Sequence, residues 1–142
     1  MNEAIIKNHN TRVKETDTVF FLGDFCFRNT KGGKKGEGVP INASEYIKKL
    51  NGNIVFIKGN HDKNNSLKCI MTSAIIELGG KTINMCHDPK DYDNNYELNL
   101  VGHVHTDWKI KKFKKTTLLN VGVDMWDFTP ISIQDILKEL QK

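Results

Sequence analysis

Apolar residues in this chain come in short runs, and several of those runs stop at the same kind of polar residue. Thr18-Val19-Phe20-Phe21-Leu22 breaks at Gly23-Asp24. Asn53-Ile54-Val55-Phe56-Ile57-Lys58 breaks at Gly59-Asn60-His61-Asp62. Thr82-Ile83-Asn84-Met85-Cys86 leads to His87, and Leu98-Asn99-Leu100-Val101 leads to Gly102-His103-Val104-His105. Runs this short, rich in β-branched and aromatic residues, predict buried strands. Layered α/β folds build ligand sites at the C-terminal ends of their strands. Four predicted strands that each end in a metal-ligand type are not what random scatter of His and Asp produces.

The remaining pattern predicts the connecting elements. Ile6, His9 and Val13, beside Ile5, have helical spacing and predict a helix over 2–13. His9 lies near its apolar stripe and reads as a half-buried helix residue rather than a ligand. Lys31-Gly32-Gly33-Lys34-Lys35-Gly36-Glu37-Gly38-Val39-Pro40 predicts a rim loop; it lacks the feeding strand and Gly-Lys-Ser/Thr ending of a phosphate-cradling loop. Asn42 starts a helix with Glu45 as capping-box partner and Tyr46, Ile47 and Leu50 as its stripe. Residues 63–72 read as a short helix and loop. Gly79-Gly80 between two apolar stretches predicts a two-residue hairpin. Asp88-Pro89 to Asn95 reads as a loop at the edge of the site. Lys109–Lys115, basic with apolar interruptions, reads as a Lys-protected edge strand before nucleic-acid contact. Thr116–Val123 is a further strand, and Ser132 with Asp135 caps a last helix whose core stripe is Ile133, Ile136, Leu137 and Leu140.

Length and composition narrow the class. A chain of 142 residues suits one domain with one core. The net charge of +4 is compatible with an anionic substrate but does not demand nucleic acid. Three cysteines without paired spacing argue against a disulfide framework and for a reducing, cytoplasmic compartment. Cys26 and Cys86 read as small buried hydrophobes; alternation along the strand sends Cys86 to the face opposite His87. The chain shows neither a long apolar run nor a basic-then-apolar leader, so no membrane partner is expected.

The candidate chemistry follows from the donor types. Asp24, Asn60, His87, His103 and His105 offer carboxylate oxygen, amide oxygen and imidazole nitrogen, which suits Mn, Fe, Zn, Co or Ni better than Mg or Ca. His103 and His105 lie two apart, so an extended backbone would turn both to one metal cluster. Two such ions, about 3.5–4 Å apart, are a known device for phosphoester hydrolysis. His61, next to Asn60, is placed to protonate a leaving alkoxide or hold a phosphate oxygen, with Asp62 orienting it. Arg28 reads equally as a phosphate contact or a solvated cation.

At these residues the chain resembles the calcineurin-like metallophosphoesterase family, in its small bacterial and phage-type branch. The blocks are Gly23-Asp24, Gly59-Asn60-His61-Asp62, His87 and Gly102-His103-Val104-His105, in the family's order. Asn120-Val121-Gly122-Val123-Asp124-Met125-Trp126-Asp127, then Pro130-Ile131-Ser132, resembles the branch's closing segment. The resemblance implies an α/β fold of four layers, α/β/β/α, with the metals at strand ends. It implies a dinuclear, metal-dependent phosphoesterase, manganese among its metals, acting on a phosphodiester or phosphomonoester such as a nucleotide. It implies that Asp24 bridges, that Asn60, His87 and His103 complete one site, and that His105 joins Asp24 at the other.

One block has no counterpart. The family's opening Asp-x-His is absent: Asp17 has no His two residues on, and His9 lies on a predicted helix. The expectation is therefore a single domain over 1–142 that is N-terminally incomplete and lacks its first strand. A site retaining one metal is the alternative, as is a non-catalytic module that binds a metal or a phosphate.

Overall fold

The computed structural model describes residues 2–24, 43–60 and 71–142. The expectations for Cys26, Arg28, the 29–40 loop, the Asn42 cap, His61, Asp62 and 63–70 lie outside the described residues. Helix α1 spans Asn2–Arg12, β1 Thr18–Phe21, α2 Ala43–Lys49 and β2 Asn53–Phe56. Then come β3 Ser73–Leu78, β4 Lys81–Cys86, β5 Leu98–Val101, β6 Ile110–Phe113, β7 Thr116–Asn120 and α3 Ile133–Leu140.

The strands form two sheets. β1 and β2 pair in parallel, Thr18 with Asn53 through Phe21 with Phe56. The five-stranded sheet runs β3-β4-β5-β7-β6. Its three central strands are parallel and its two outer strands antiparallel to their neighbours. Parallel central strands must be buried on both faces, and the sequence of β5, Leu-Asn-Leu-Val, is buried at every position.

The pairing register assigns those faces. Ile83, Met85, Leu98, Leu100 and Leu119 share one face and form the core with Leu22 and Ile57, which follow β1 and β2, and with Ile136 of α3. One apolar cluster thus joins both sheets and the last helix. The opposite face carries a buried polar row. Asn84 donates to Asn99 at 2.8 Å, and Asn99 donates to Thr116 at 2.8 Å and to the Asp93 carbonyl at 3.0 Å. Asp93 N–H returns a bond to Asn99 at 2.9 Å. Every member has a partner, as buried amides require, and the row ties the segment after His87 to the sheet.

Local signals hold in detail. Gly79 and Gly80 have φ of 61° and 74°, the left-handed pair a two-residue hairpin needs. β6 is an edge strand carrying Lys111 and Lys112. His9 is buried, with Nε2 donating to the Asn51 carbonyl at 2.8 Å, so it serves α1 packing. The last strand is shorter than its apolar pattern suggests: β7 ends at Asn120, and Val123–Met125 forms a 3-10 turn.

α3 has a complete capping box. The Ser132 hydroxyl accepts from Asp135 N–H at 3.2 Å, and Asp135 accepts from Ser132 N–H at 2.8 Å. The Ser132 N–H bond holds the Asp135 carboxyl below its ordinary value of 3.8, helped by the Ser132 hydroxyl and the Arg12 guanidinium. A lowered folded value stabilises the fold above the ordinary carboxylate range and is lost as pH falls through the lowered value. Ser132→Ala should cost about 1 kcal/mol in urea unfolding at neutral pH. Asp135→Asn should also destabilise at neutral pH, and its gap to wild type should shrink as pH is taken below 3.8.

Candidate metal centre

Two parallel pairs of strands, β1–β2 and β4–β5, deliver the candidate ligands. Past β1, the ladder continues with Ile57 N–H donating to the Phe21 carbonyl at 2.8 Å. The chain then turns through Gly23, φ 93°, and Asp24, φ 54°. Asn60 follows β2 across Gly59. His87 follows β4 directly, and its carbonyl accepts from Gly102 N–H at 2.9 Å, which sets the turn after β5 beside it.

The side chains then converge. His87 Nε2 lies 2.8 Å from Asn60 Oδ1, 3.1 Å from Asp24 Oδ2 and 3.2 Å from His103 Nδ1. His103 Nδ1 lies 3.2 Å from Asn60 Oδ1. Ligand atoms of Asp24, His87 and His103 all lie within 4.8 Å of one another. Asn60 adds an oxygen to that group.

The protons decide what this cluster can hold. His87 Nδ1 lies 2.7 Å from the Leu22 carbonyl, which only accepts, so Nδ1 carries the hydrogen. A neutral imidazole has no second hydrogen, so Nε2 presents an electron pair to the carboxylate of Asp24, the oxygen of Asn60 and the ring nitrogen of His103. A cation placed among them would meet oxygen and nitrogen donors from all four residues at once. The donor set, one carboxylate, one amide and two imidazoles, fits a borderline divalent ion. The buried His87, its Nδ1 held by a carbonyl and its Nε2 turned to the cluster, has the arrangement typical of a metal-ligating histidine.

Close approach is secured by two glycines. A Cβ on Gly23 would come 2.5 Å from His87 Nδ1 and 2.7 Å from the Gly59 backbone. A Cβ on Gly59 would collide with the backbone nitrogen and carboxylate of Asp24. Neither residue can carry a side chain while Asp24, Asn60 and His87 remain together.

The segment after β5 differs from the expected extended one. His103 and His105 have φ of 68° and 47°, and Val104 N–H bonds the Gly102 carbonyl at 2.8 Å. The backbone is a tight turn, so the alternation rule does not aim the two rings alike. His103 joins the cluster. His105 is 79% exposed, and its Nδ1 lies 3.0 Å from Asp124 Oδ2. Three candidate ligands, Asp24, His103 and His105, have the left-handed backbone that non-glycine residues avoid, the kind of strain that collects at functional sites.

Several contributors escaped the sequence reading. Asp88 Oδ2 stands 3.9 Å from His103 Nε2, on the ring edge away from the cluster. Asn120 is fully buried and donates to the carbonyls of His105, at 2.8 Å, and Trp108, at 3.0 Å. Its own oxygen accepts from Gly122 N–H at 2.9 Å. The position of Asn120 at the end of an apolar run was the available signal, for buried amides there must hold backbone. Cys86, in contrast, is buried as its sequence context implied, and its thiol is pushed up to about 11 by that burial and by the charges of Asp91 and Asp88.

Comparison with known proteins agrees with this architecture. A family model described as the calcineurin-like phosphoesterase superfamily domain matches residues 2–133, and the chain belongs to that superfamily. An uncharacterized protein of Methanocaldococcus jannaschii is 33% identical over 150 residues, covering 100% of this chain and 76% of the relative. A solved protein of unknown function from Aquifex aeolicus superposes with a TM-score of 0.67 at 25% identity, covering 96% of this chain and 83% of that one. Wild-type Vps29 of Entamoeba histolytica, solved in complex with Zn2+, superposes at 0.51 with 16% identity, covering 86% and 64%, and shares the fold. The α/β class is as the sequence implied. The superfamily is metal-dependent, and among the described residues Asp24, His87 and His103 form a possible metal-binding triad.

Two outcomes test this geometry. Gly59→Ala should lower divalent-metal affinity by at least about tenfold in calorimetric titration, because the new methyl displaces Asp24. Cys86 should resist alkylation at neutral pH in the native protein and react only after denaturation, as read by peptide mass mapping.

Proposed function

We propose that this protein is a metal-dependent phosphoester hydrolase. The observation that carries the reading is the convergence of Asp24, Asn60, His87 and His103 around one point, with the His87 hydrogen already committed to Leu22. These four would hold one divalent ion, and Asp24 with His105 would contribute to a second. When bound, such ions lower the pKa of a coordinated water and withdraw charge from a phosphoryl oxygen. The preferred metals are Mn, Fe, Zn, Co or Ni, from the mixed nitrogen and oxygen donors.

The protein's own residues have separable tasks. Asp24 would supply the negative charge that holds a cation beside the strand ends. His87 and Asn60 would complete the donor set for the ion that Asp24 binds. His61 protonates the leaving oxygen or holds a phosphate oxygen, and Asp62 orients it. The substrate class is a phosphoester, with nucleotides included by the net positive charge of the chain. Three cysteines without paired spacing, with Cys86 a free buried thiol, fit a cytoplasmic setting. No helix among the described residues is long and apolar enough to cross a membrane.

The test is hydrolysis of bis-p-nitrophenyl phosphate by purified protein loaded in turn with each metal. Turnover should need metal and should fall on the order of 100-fold in His87→Ala, in step with lost metal affinity. His61→Ala should slow an alkyl diester by roughly 100-fold or more, and slow the aryl diester less, since p-nitrophenolate leaves without a proton. Metal binding with no turnover on any ester would leave a binding module. Equal losses on the two esters would give His61 the phosphate-contact role.

A further inference from the structure

We infer that Asp124 is a positioning residue for His105: it holds the Nδ1–H tautomer of that ring and leaves Nε2 as its electron-pair donor. The inference rests on the hydrolase reading only for what Nε2 then binds.

The geometry is specific. His105 Nδ1 and Asp124 Oδ2 are 3.0 Å apart, and an ionised carboxylate can only accept, so the hydrogen sits on Nδ1. An exposed imidazole without such a partner would sample both tautomers and several rotamers. Exposed ion pairs contribute little to stability. Asp124 therefore matters through direction, since a carboxylate on the far nitrogen both aims a ligating ring and raises its basicity.

Asp124 is itself held. It sits in the 3-10 turn Val123–Met125, closed by Met125 N–H to the Gly122 carbonyl and Trp126 N–H to the Val123 carbonyl, each 3.0 Å. The Trp126 indole N–H donates to the Asn120 carbonyl at 2.8 Å. The Asn120 side chain in turn holds the carbonyl of His105 at 2.8 Å. One segment, 120–126, thus grips His105 twice, at its backbone through Asn120 and at its ring through Asp124. That double grip supports the left-handed backbone, φ 47°, of a non-glycine residue.

The experiment has two readouts. Metal-free protein labelled with 15N is examined by imidazole NMR at about pH 8.5–9, above the ordinary histidine range. His105 should show the Nδ1–H tautomer in wild type, retain it in Asp124→Asn, whose amide oxygen still accepts, and lose it in Asp124→Ala. Wild-type His105 in the Nε2–H form, or an Nδ1–H form that survives Asp124→Ala, overturns the proposal. Manganese and zinc are then titrated calorimetrically into wild type, His105→Ala and Asp124→Ala. Asp124→Ala should weaken the ion that His105→Ala weakens, by about 10- to 100-fold, while Asp124→Asn stays closer to wild type. Loss in His105→Ala but none in Asp124→Ala also overturns it. If no protein binds metal, the hydrolase reading fails, and the tautomer result still decides the role of Asp124.

Discussion

The hydrogen bond from His87 Nδ1 to the Leu22 carbonyl ties the architecture to the chemistry. It crosses between the two sheets, since Leu22 follows β1 and His87 follows β4. It also consumes the single hydrogen of a neutral imidazole, so the other nitrogen faces Asp24, Asn60 and His103 as an electron pair. Were the sheets displaced by an ångström or two, that bond would be lost, and with it the orientation of the ring. The apolar cluster of Leu22, Ile57, Met85 and Leu100 prevents the displacement.

Around that bond the backbone itself becomes the limiting material. Gly23 and Gly59 let two strand ends touch where any side chain would part them. Asp24, His103 and His105 hold left-handed conformations that they would leave if unsupported. Support comes from buried amides. Asn120 holds the turn bearing His103 and His105, and the Asn84–Asn99–Thr116 row holds the segment that follows His87. Each of these amides has a hydrogen-bond partner, so these polar residues stabilise a shape rather than weaken a core. The site is a set of strained turns clamped by buried side-chain hydrogen bonds.

Much of this was legible along the chain. Alternation and apolar runs placed β1, β2, β4 and β5, because burial of a strand needs only local composition. Gly79-Gly80 set the hairpin, Ser132 and Asp135 set the start of α3, and Lys111 and Lys112 marked β6 as an edge. Each of these signals acts within a few residues. The identities of Asp24, Asn60, His87 and His103 as a group were also readable, through position at strand ends and through the order of motif blocks.

Tertiary structure decided the rest, because the deciding contacts join residues far apart in sequence. Spacing alone pointed His103 and His105 the same way, but the turn after β5 sends His103 to the cluster and His105 to Asp124. The end of β7 at Asn120 follows from what its amide must hold at 105 and 108, which no local pattern encodes. Likewise the tautomer of His87 is set by a carbonyl 65 positions away. Residue type and strand placement determined which atoms were available to bind a cation. Packing of one sheet against the other determined which of them meet, and which nitrogen each ring presents.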